Sequence, residues 1–252
     1  MLAAQRKTLI LTTLRTDGRV VAKDLAAELG LSEDTIRRDL RELAAEGRLH
    51  RVHGGALPAS PAVADFTART DISTSAKAEV ARTAAALVQP GQTVAIDGGT
   101  TARELARQLP PDLRATVITH SPTIAVELAT HPSVEVIIIG GRLFKHSVVA
   151  AGAVAHEAIS RVSVDLFFLG VTGIHPTAGL TTGDADEAAI KRAWSERSAE
   201  TYVLGSGEKI GAASPFEVVP LAAVTAVLTD ASAPARGVAE LRAAGVSVLG
   251  VD

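Results

Sequence analysis

Apolar positions along the chain change their spacing twice, and the changes divide it into three parts. Over the first part the spacing is helical. Leu9, Ile10, Thr13 and Leu14 predict a helix over residues 6–14 that ends near Asp17 and Gly18. A short apolar pair, Val20 and Val21, precedes residues 22–29 (AKDLAAEL), which predict a second helix burying Leu25 and Leu29. Gly30 supplies the positive φ that a sharp turn after a helix needs. Residues 31–43 (LSEDTIRRDLREL) predict a third helix directly after it. Ser32 suits the N-cap, and Glu33 and Asp34 fall in the first turn, where the helix dipole favours negative charge. Ile36, Leu40 and Leu43 recur at the spacing of one buried stripe, which turns Thr35, Arg37, Arg38 and Arg41 outward. Helix, tight turn and helix make a helix-turn-helix.

Alternation of polar and apolar residues follows at 47–55 (GRLHRVHGG), predicting a small hairpin, or wing, with Arg48, His50, Arg51 and His53 on it. Residues 57–61 (LPASP) read as a linker, and 65–75 have weak periodicity. Helical spacing returns over 77–88 and closes at Pro90 and Gly91.

From Thr93 onward the pattern becomes short apolar runs separated by helical stretches. The runs are 93–96, 116–119, 134–139, 166–169, 201–204, 226–229 and 246–249; helices are predicted over 102–108, 123–129, 154–159, 187–197 and 235–244. Strands buried on both faces and alternating with helices indicate a parallel, doubly wound sheet, whose ligands sit at the carboxyl ends of strands. The expected organisation is an α/β chain: a winged helix-turn-helix over 1–57, a linker over 58–75, and an effector-binding and oligomerisation domain over 76–252.

Composition narrows the function classes. There is no cysteine, which removes disulfides, thiol catalysis and cysteine-ligated zinc together. No apolar run approaches the roughly 18 residues of a membrane span, and the early Gln5, Arg6, Lys7 and Thr8 interrupt any signal-peptide core. A cytoplasmic chain is expected. Within a net charge of −3, residues 1–57 hold ten Lys and Arg against eight Asp and Glu, while the remainder holds fifteen against twenty. That asymmetry suits nucleic-acid contact at the N-terminal end. Aromatics are 3% of the chain and none precedes Phe66, which argues against base-stacking platforms for single strands.

Two candidate sites emerge. A short helix presenting adjacent arginines and a hydroxyl has the chemistry to lie in a DNA major groove, so Ser32, Glu33, Thr35, Arg37, Arg38 and Arg41 are the candidate readers, with Arg48, Arg51 and His53 supporting from the wing. The same pattern fits a helical bundle with solvated arginines, and periodicity does not separate the two. The second site is Asp97 to Thr101 (DGGTT), which follows a predicted strand and opens a helix. Its glycines admit a ligand close to the backbone, its free N–H groups attract an anion, and the Thr100 and Thr101 hydroxyls add donors. It lacks both the GxxxxGK[ST] and the GxGxxG spacing, so no nucleotide cofactor is expected. A plain glycine-rich turn with threonine capping also fits. Lys191 and Lys209 could neutralise a phosphate or a carboxylate, or remain solvated. No metal spacing such as HExxH is present.

Ser32 to Leu40 (SEDTIRRDL), followed by Arg51 to Ala56 (RVHGGA), resembles the N-terminal signature of the DeoR family of bacterial transcriptional regulators. The resemblance continues in order through Asp97 to Thr101, Gly140 with Gly141, Gly152, Asp165 with Gly170, Gly179 to Thr181, Lys191, Lys209 with Gly211, and Thr229 with Asp230. It implies a winged helix-turn-helix joined to a domain similar in fold to ribose-phosphate isomerases and CoA transferases. It also implies a repressor of sugar or polyol catabolism genes that responds to a phosphorylated sugar. By position in that pattern, Asp97, Gly98, Gly99, Thr100, Thr101 and Lys191 would meet the phosphosugar. Thr119, His120, Gly140 and Gly141 would lie nearby, with Lys209 a further candidate. Two departures bear on ligand choice: the family usually has Asn where His120 stands, and often Asp where Gly205 stands.

The leading expectation is therefore an operator-binding regulator, working as a homo-oligomer because one helix-turn-helix buries too little surface for tight binding. The alternative is a sugar-phosphate isomerase or CoA-transferase-like enzyme fused to a DNA-binding module. It would need a carboxylate base at a strand end, for which Asp97 and Asp184 are the candidates. A third is a DNA-binding scaffold whose glycine loops are structural.

Overall fold

The computed structural model describes residues 1–60, 62 and 64–250. Pro61 and Val63 of the expected linker, and the last two residues of the expected effector domain, lie outside the described residues.

The N-terminal unit contains α1 (Ala3–Asp17), β1 (Val20–Val21), α2 (Ala22–Leu29), α3 (Glu33–Ala45), β2 (Leu49–Val52) and β3 (Gly55–Pro58). Ile36, Leu40 and Leu43 of α3 pack on Ile10 and Leu14 of α1 and on Leu25 of α2, as the stripe predicts. Gly30 takes the left-handed conformation between α2 and α3, at φ 63°. Asp39, on the same side of α3, is buried in an ion pair with Arg6 of α1, whose Nη2 donates to Oδ1 at 3.0 Å. The wing is a three-stranded antiparallel sheet in the order β1-β3-β2. Its last strand runs to Pro58, opposite Leu49, one residue into the stretch expected as linker.

The remaining elements are α4 (Phe66–Thr70), α5 (Thr74–Ala85), β4 (Thr93–Ile96), α6 (Thr100–Gln108), β5 (Thr116–Thr119), α7 (Pro122–Leu128), β6 (Glu135–Ile138), β7 (Arg142–Phe144), β8 (Val149–Ala151), α8 (Ala153–Ser160), β9 (Val164–Gly170), β10 (Gly173–His175), β11 (Gly179–Thr182), α9 (Ala185–Glu196), β12 (Ser198–Leu204), β13 (Phe216–Val219), β14 (Ala226–Leu228), α10 (Ala235–Ala243) and β15 (Ser247–Leu249). Each predicted apolar run from Thr93 onward becomes a strand of one sheet. Its order among the described residues is β15-β14-β12-β9-β4-β5-β6, parallel throughout.

Successive residues of β9 point to opposite faces, which makes the sheet the middle of three layers. Phe167 enters a core with Ile159 of α8, Trp194 of α9 and Leu241 of α10. Phe168 enters the other core with Val80 of α5, Leu105 of α6 and Ile124 of α7. The β7–β8 hairpin and the small antiparallel sheet β10-β11-β13 were not anticipated. Their strands are three or four residues long, too short for a period of two to stand out along the chain.

The strand order fixes where a ligand belongs. From β4 the chain winds toward β5 and β6; from β9 it winds the other way, through β12, β14 and β15. The reversal lies between β4 and β9, and crevices in doubly wound sheets open at the carboxyl ends of the strands flanking such a reversal.

Phe167 is fully buried and stacks on Trp194, with centroids 6.0 Å apart. Phe167→Ala is expected to lower the unfolding free energy by about 3–5 kcal/mol. Denaturant titration followed by the fluorescence of Trp194, the single tryptophan, reads it directly.

Candidate functional site

The outward face of α3 is built as the spacing predicts. Ser32 Oγ accepts the Thr35 amide at 3.3 Å and lies 2.9 Å from Thr35 Oγ1, fixing the start of the helix. Arg37, Arg38 and Arg41 are exposed, whereas Glu33 and Thr35 are partly covered. Arg37 Nη2 reaches Glu33 Oε1 at 2.7 Å, an exposed i,i+4 pair that other anions can displace cheaply. Arg37, Arg51 and His53 line one shallow groove between α3 and the wing. Arg48 does not join them: it faces a separate groove beside α1 and Pro58. His50 is half-buried, and burial lowers its pKa.

At the strand reversal, Asp97 follows β4 with no exposed surface. Its Oδ1 accepts the Gly98 amide at 2.7 Å, and its Oδ2 accepts the amide of Gly170, the last residue of β9, at 2.8 Å. Lys191 of α9 donates to Oδ2 at 2.6 Å. Burial alone would raise the Asp97 carboxyl, but its surroundings, the Lys191 ammonium first among them, outweigh it and hold it below the usual carboxylate range. Burial likewise works against the Lys191 charge, and Asp97 and Glu187 more than offset it, so its pKa is raised. The carboxylate therefore cross-links the two strands and α9. It is not free to abstract a substrate proton. Asp184, the other candidate base, caps α9 by accepting the Glu187 amide at 3.0 Å.

Below the pair lies His120, after β5. The Trp194 indole can only donate, and it does so to His120 Nδ1 at 3.1 Å, which leaves the ring proton on Nε2. Nε2 is 3.3 Å from Asp97 Oδ1 but is not aligned for a hydrogen bond. Thr119 Oγ1 donates to the Ile96 carbonyl at 2.7 Å. Thr119 and His120 thus support the Asp97 loop from beneath. Gly140 and Gly141 lie outside the cavity lining, and Gly141 is packed against Ala150, Ala151 and Ala155. At Gly205 a side chain would meet Ile174 Cδ1 at 2.4 Å and Val227 Cγ1 at 3.0 Å, so a carboxylate at that position would require the Ile174 side chain to shift.

Above the pair, the Gly98–Thr101 segment forms one wall of a cavity. A Cβ on Gly98 would lie 2.1 Å from Val149, and Gly99 starts α6 at φ 115°, so both positions need glycine. The first-turn N–H groups of α6 take no partner within the helix and face an anion-attracting end. The opposite walls come from Lys191 and Glu187 of α9, Thr182 of β11, and Glu208 and Lys209 on the short turn after β12. Asp230 holds that turn by accepting the Gly207 amide at 2.7 Å. Lys209 is buried, with its Nζ on the Leu204 carbonyl at 3.0 Å, and burial, together with the neighbouring Arg69, Lys77 and Lys191, outweighs Glu208 and lowers its pKa to about 8.

The fourth wall was not foreseen. Arg69 of α4, with Ile72 and Lys77 behind it, closes the cavity over Gly99. Its Nη2 is buried without a hydrogen-bond partner. The signal that could have found α4 is Asp65, which caps it by accepting the Ala68 amide at 2.9 Å. With this wall in place the cavity measures about 30 Å³, enough for water but far below the few hundred Å³ of a small-molecule site. Among the described residues, no group of His, Asp and Glu could hold a metal ion.

Comparison with known proteins bears on both sites. Residues 6–62 match the DeoR-like helix-turn-helix domain, and residues 72–231 match the DeoR C terminal sensor domain. The HTH-type transcriptional regulator GlpR of Haloferax volcanii is 34% identical over 252 residues, covering 99% of this chain and 98% of that protein. The glycerol-3-phosphate regulon repressor of Escherichia coli is 31% identical over 235 residues, covering 93% of each. Among solved structures, ribose 5-phosphate isomerase A of Methanocaldococcus jannaschii is similar over 50% of each chain, at 18% identity and a TM-score of 0.37.

Removing the carboxylate strands a buried ammonium and two amides. Asp97→Ala is expected to cost about 3–5 kcal/mol of stability, and adding Lys191→Met should return part of it. Because the Asp97 pKa is lowered on folding, its contribution is present above the ordinary carboxylate range, near pH 4, and is lost as the pH falls through the lowered value. Acid unfolding monitored by Trp194 fluorescence should therefore lose that component in Asp97→Ala.

Proposed function

The chain belongs to the DeoR family of transcriptional regulators, and from that premise we propose that it represses sugar or polyol catabolism genes until a phosphorylated metabolite releases it from its operator. The observation that carries this reading is the cavity at the β4–β9 reversal, where a helix N-terminus and two buried lysines converge in a chain whose other end is a DNA-reading unit. The phosphate would lie on the Gly98–Thr101 amides and hydroxyls, between Lys191 and Lys209. Glu187 and Glu208 would accept hydrogen bonds from the metabolite's hydroxyls. Asp97, Thr119 and His120 would act from beneath by holding the loop.

On the DNA side, Thr35, Arg37, Arg38 and Arg41 would enter the major groove, with Arg51 and His53 on the adjoining backbone and Arg48 on a more distant phosphate. At least two copies would read paired half-sites. Ile137 and Ile138, exposed at 42% and 55% on edge strand β6, offer apolar surface for that association. The repressor would work in the cytoplasm beside its operator; no described helix is long and apolar enough to cross a membrane.

The deciding experiment is operator binding by fluorescence anisotropy against a panel of sugar and polyol phosphates and their unphosphorylated counterparts. At least one phosphorylated compound should weaken operator binding by about tenfold or more, a coupling of roughly 1–3 kcal/mol, with its unphosphorylated partner inert. Failure of the whole panel would remove the reading. Two further outcomes are expected. Arg38→Ala should either relax specificity at one base pair, costing about 1–3 kcal/mol, or lower the salt slope by about one without changing sequence preference. Effector affinity should also fall as the pH rises past Lys209's value of about 8, because the free lysine is then neutral and must take up a proton to hold the anion. The dissociation constant should climb by up to about tenfold per pH unit above it.

A further inference from the structure

We propose that Arg69 is itself a ligand of the effector's phosphate, and that this contact ties occupancy of the cavity to the segment leading back to the DNA-reading unit. The proposal rests on the reading that the effector carries a phosphate. Arg69 lies at 69, between the matched segments 6–62 and 72–231, so neither family match speaks for it.

Three observations carry it. First, the guanidinium is committed to very little. Its Nε reaches only the Asp65 carbonyl, at 3.4 Å, and its buried Nη2 has no partner. An arginine does not shed its proton to escape such a site, so a half-buried guanidinium whose Nη2 is covered and unpartnered calls for an anion. Second, the open donor group faces the anion-attracting end of α6. A Cβ on Gly99 would come within 3.9 Å of Nη1, and Lys77 and Lys209 share the cavity from two other elements. A planar fork of N–H groups matches two phosphate oxygens at once.

Third, α4 is a strap rather than a packed helix. It is five residues long and buries none of them. Among the described residues two hydrogen bonds reach it from other parts of the chain: the Phe66 amide donates to the His146 carbonyl at 2.8 Å, and Lys77 Nζ donates to the Arg69 carbonyl at 2.5 Å. The strap follows β3, the last strand of the wing, by a few residues. Along that path Ala59 forms a bridge with Ala213, just beyond the turn carrying Lys209, and Ala62 joins the cavity lining. A cavity of about 30 Å³ admits a sugar phosphate only if a wall moves, and the strap is a wall element in which no residue is fully buried. A phosphate that draws Arg69 into a new seat therefore pulls on a short tether to the wing.

The test is hydrogen–deuterium exchange on the full chain, with inorganic phosphate as the probe against chloride at equal ionic strength. It follows two peptides, one spanning residues 66–70 and one spanning 97–103, in the wild type and in Arg69→Gln. Phosphate should slow exchange in both peptides of the wild type. In Arg69→Gln the strap should no longer respond, and the phosphate dissociation constant should rise by about tenfold, the loss of one charge-assisted contact. Slowing of 97–103 with 66–70 unchanged in the wild type would overturn the role of Arg69 while leaving the phosphate reading intact. No slowing in either peptide would overturn both. The wild-type comparison needs no variant, so a folding defect in Arg69→Gln does not blunt it.

Discussion

A carboxylate and an ammonium buried against each other at the strand reversal hold the larger domain in register. Asp97 directly follows the first strand of the parallel sheet, Gly170 ends the neighbouring strand that starts the opposite winding, and Lys191 comes from the helix that covers one face. Such a pair gains little over an apolar core of the same shape, and its value lies in geometry. With both Asp97 oxygens engaged, the start of the Gly98–Thr101 loop is tied to β9 and α9. The N-terminus of α6, the lysines and the turn after β12 then face one another across a single cavity. His120 and Trp194 extend the same network one layer deeper. The Asp97 carboxylate serves here as a joint.

The joint also explains how a small ligand could act on distant DNA. Helix α3 of the helix-turn-helix unit is held by its own core and by the Arg6–Asp39 pair, so it does not depend on the cavity for its shape. What the cavity can influence is where that unit sits. Two routes leave the cavity wall toward the wing, one along the strap and one from the Lys209 turn through Ala213 to Ala59. A coupling of 1–3 kcal/mol is enough to switch an operator, about the scale of one charge-assisted contact formed in only one of two conformations.

Much of this was legible in the residues because the forces involved leave periodic traces. Strands buried on both faces produce apolar runs, so the positions of β4, β5, β9 and β12 follow from the sequence. The Ser32 cap and the Ile36, Leu40 and Leu43 stripe likewise fix α3 and its outward arginines. What stayed hidden depends on contacts between distant parts of the chain. Lys191 meets Asp97 across a separation of 94 residues, and no local spacing encodes that distance. The strap has no fully buried residue and so no hydrophobic period, and Arg69 shows its position over α6 only in the folded chain. Arg48 and Arg51 look equivalent along the wing, but the hairpin sends them to different grooves. Gly140 and Gly141 resemble a ligand loop in sequence and lie outside the cavity lining.

If occupancy of the cavity and grip on the operator are one equilibrium, each must weaken the other by the same factor. Isothermal titration of a phosphorylated effector into the free protein, and into the protein saturated with operator duplex, measures this directly. The account predicts weaker effector binding on the operator complex, by the factor through which the effector weakens operator binding. Equal effector affinities with and without operator would contradict it.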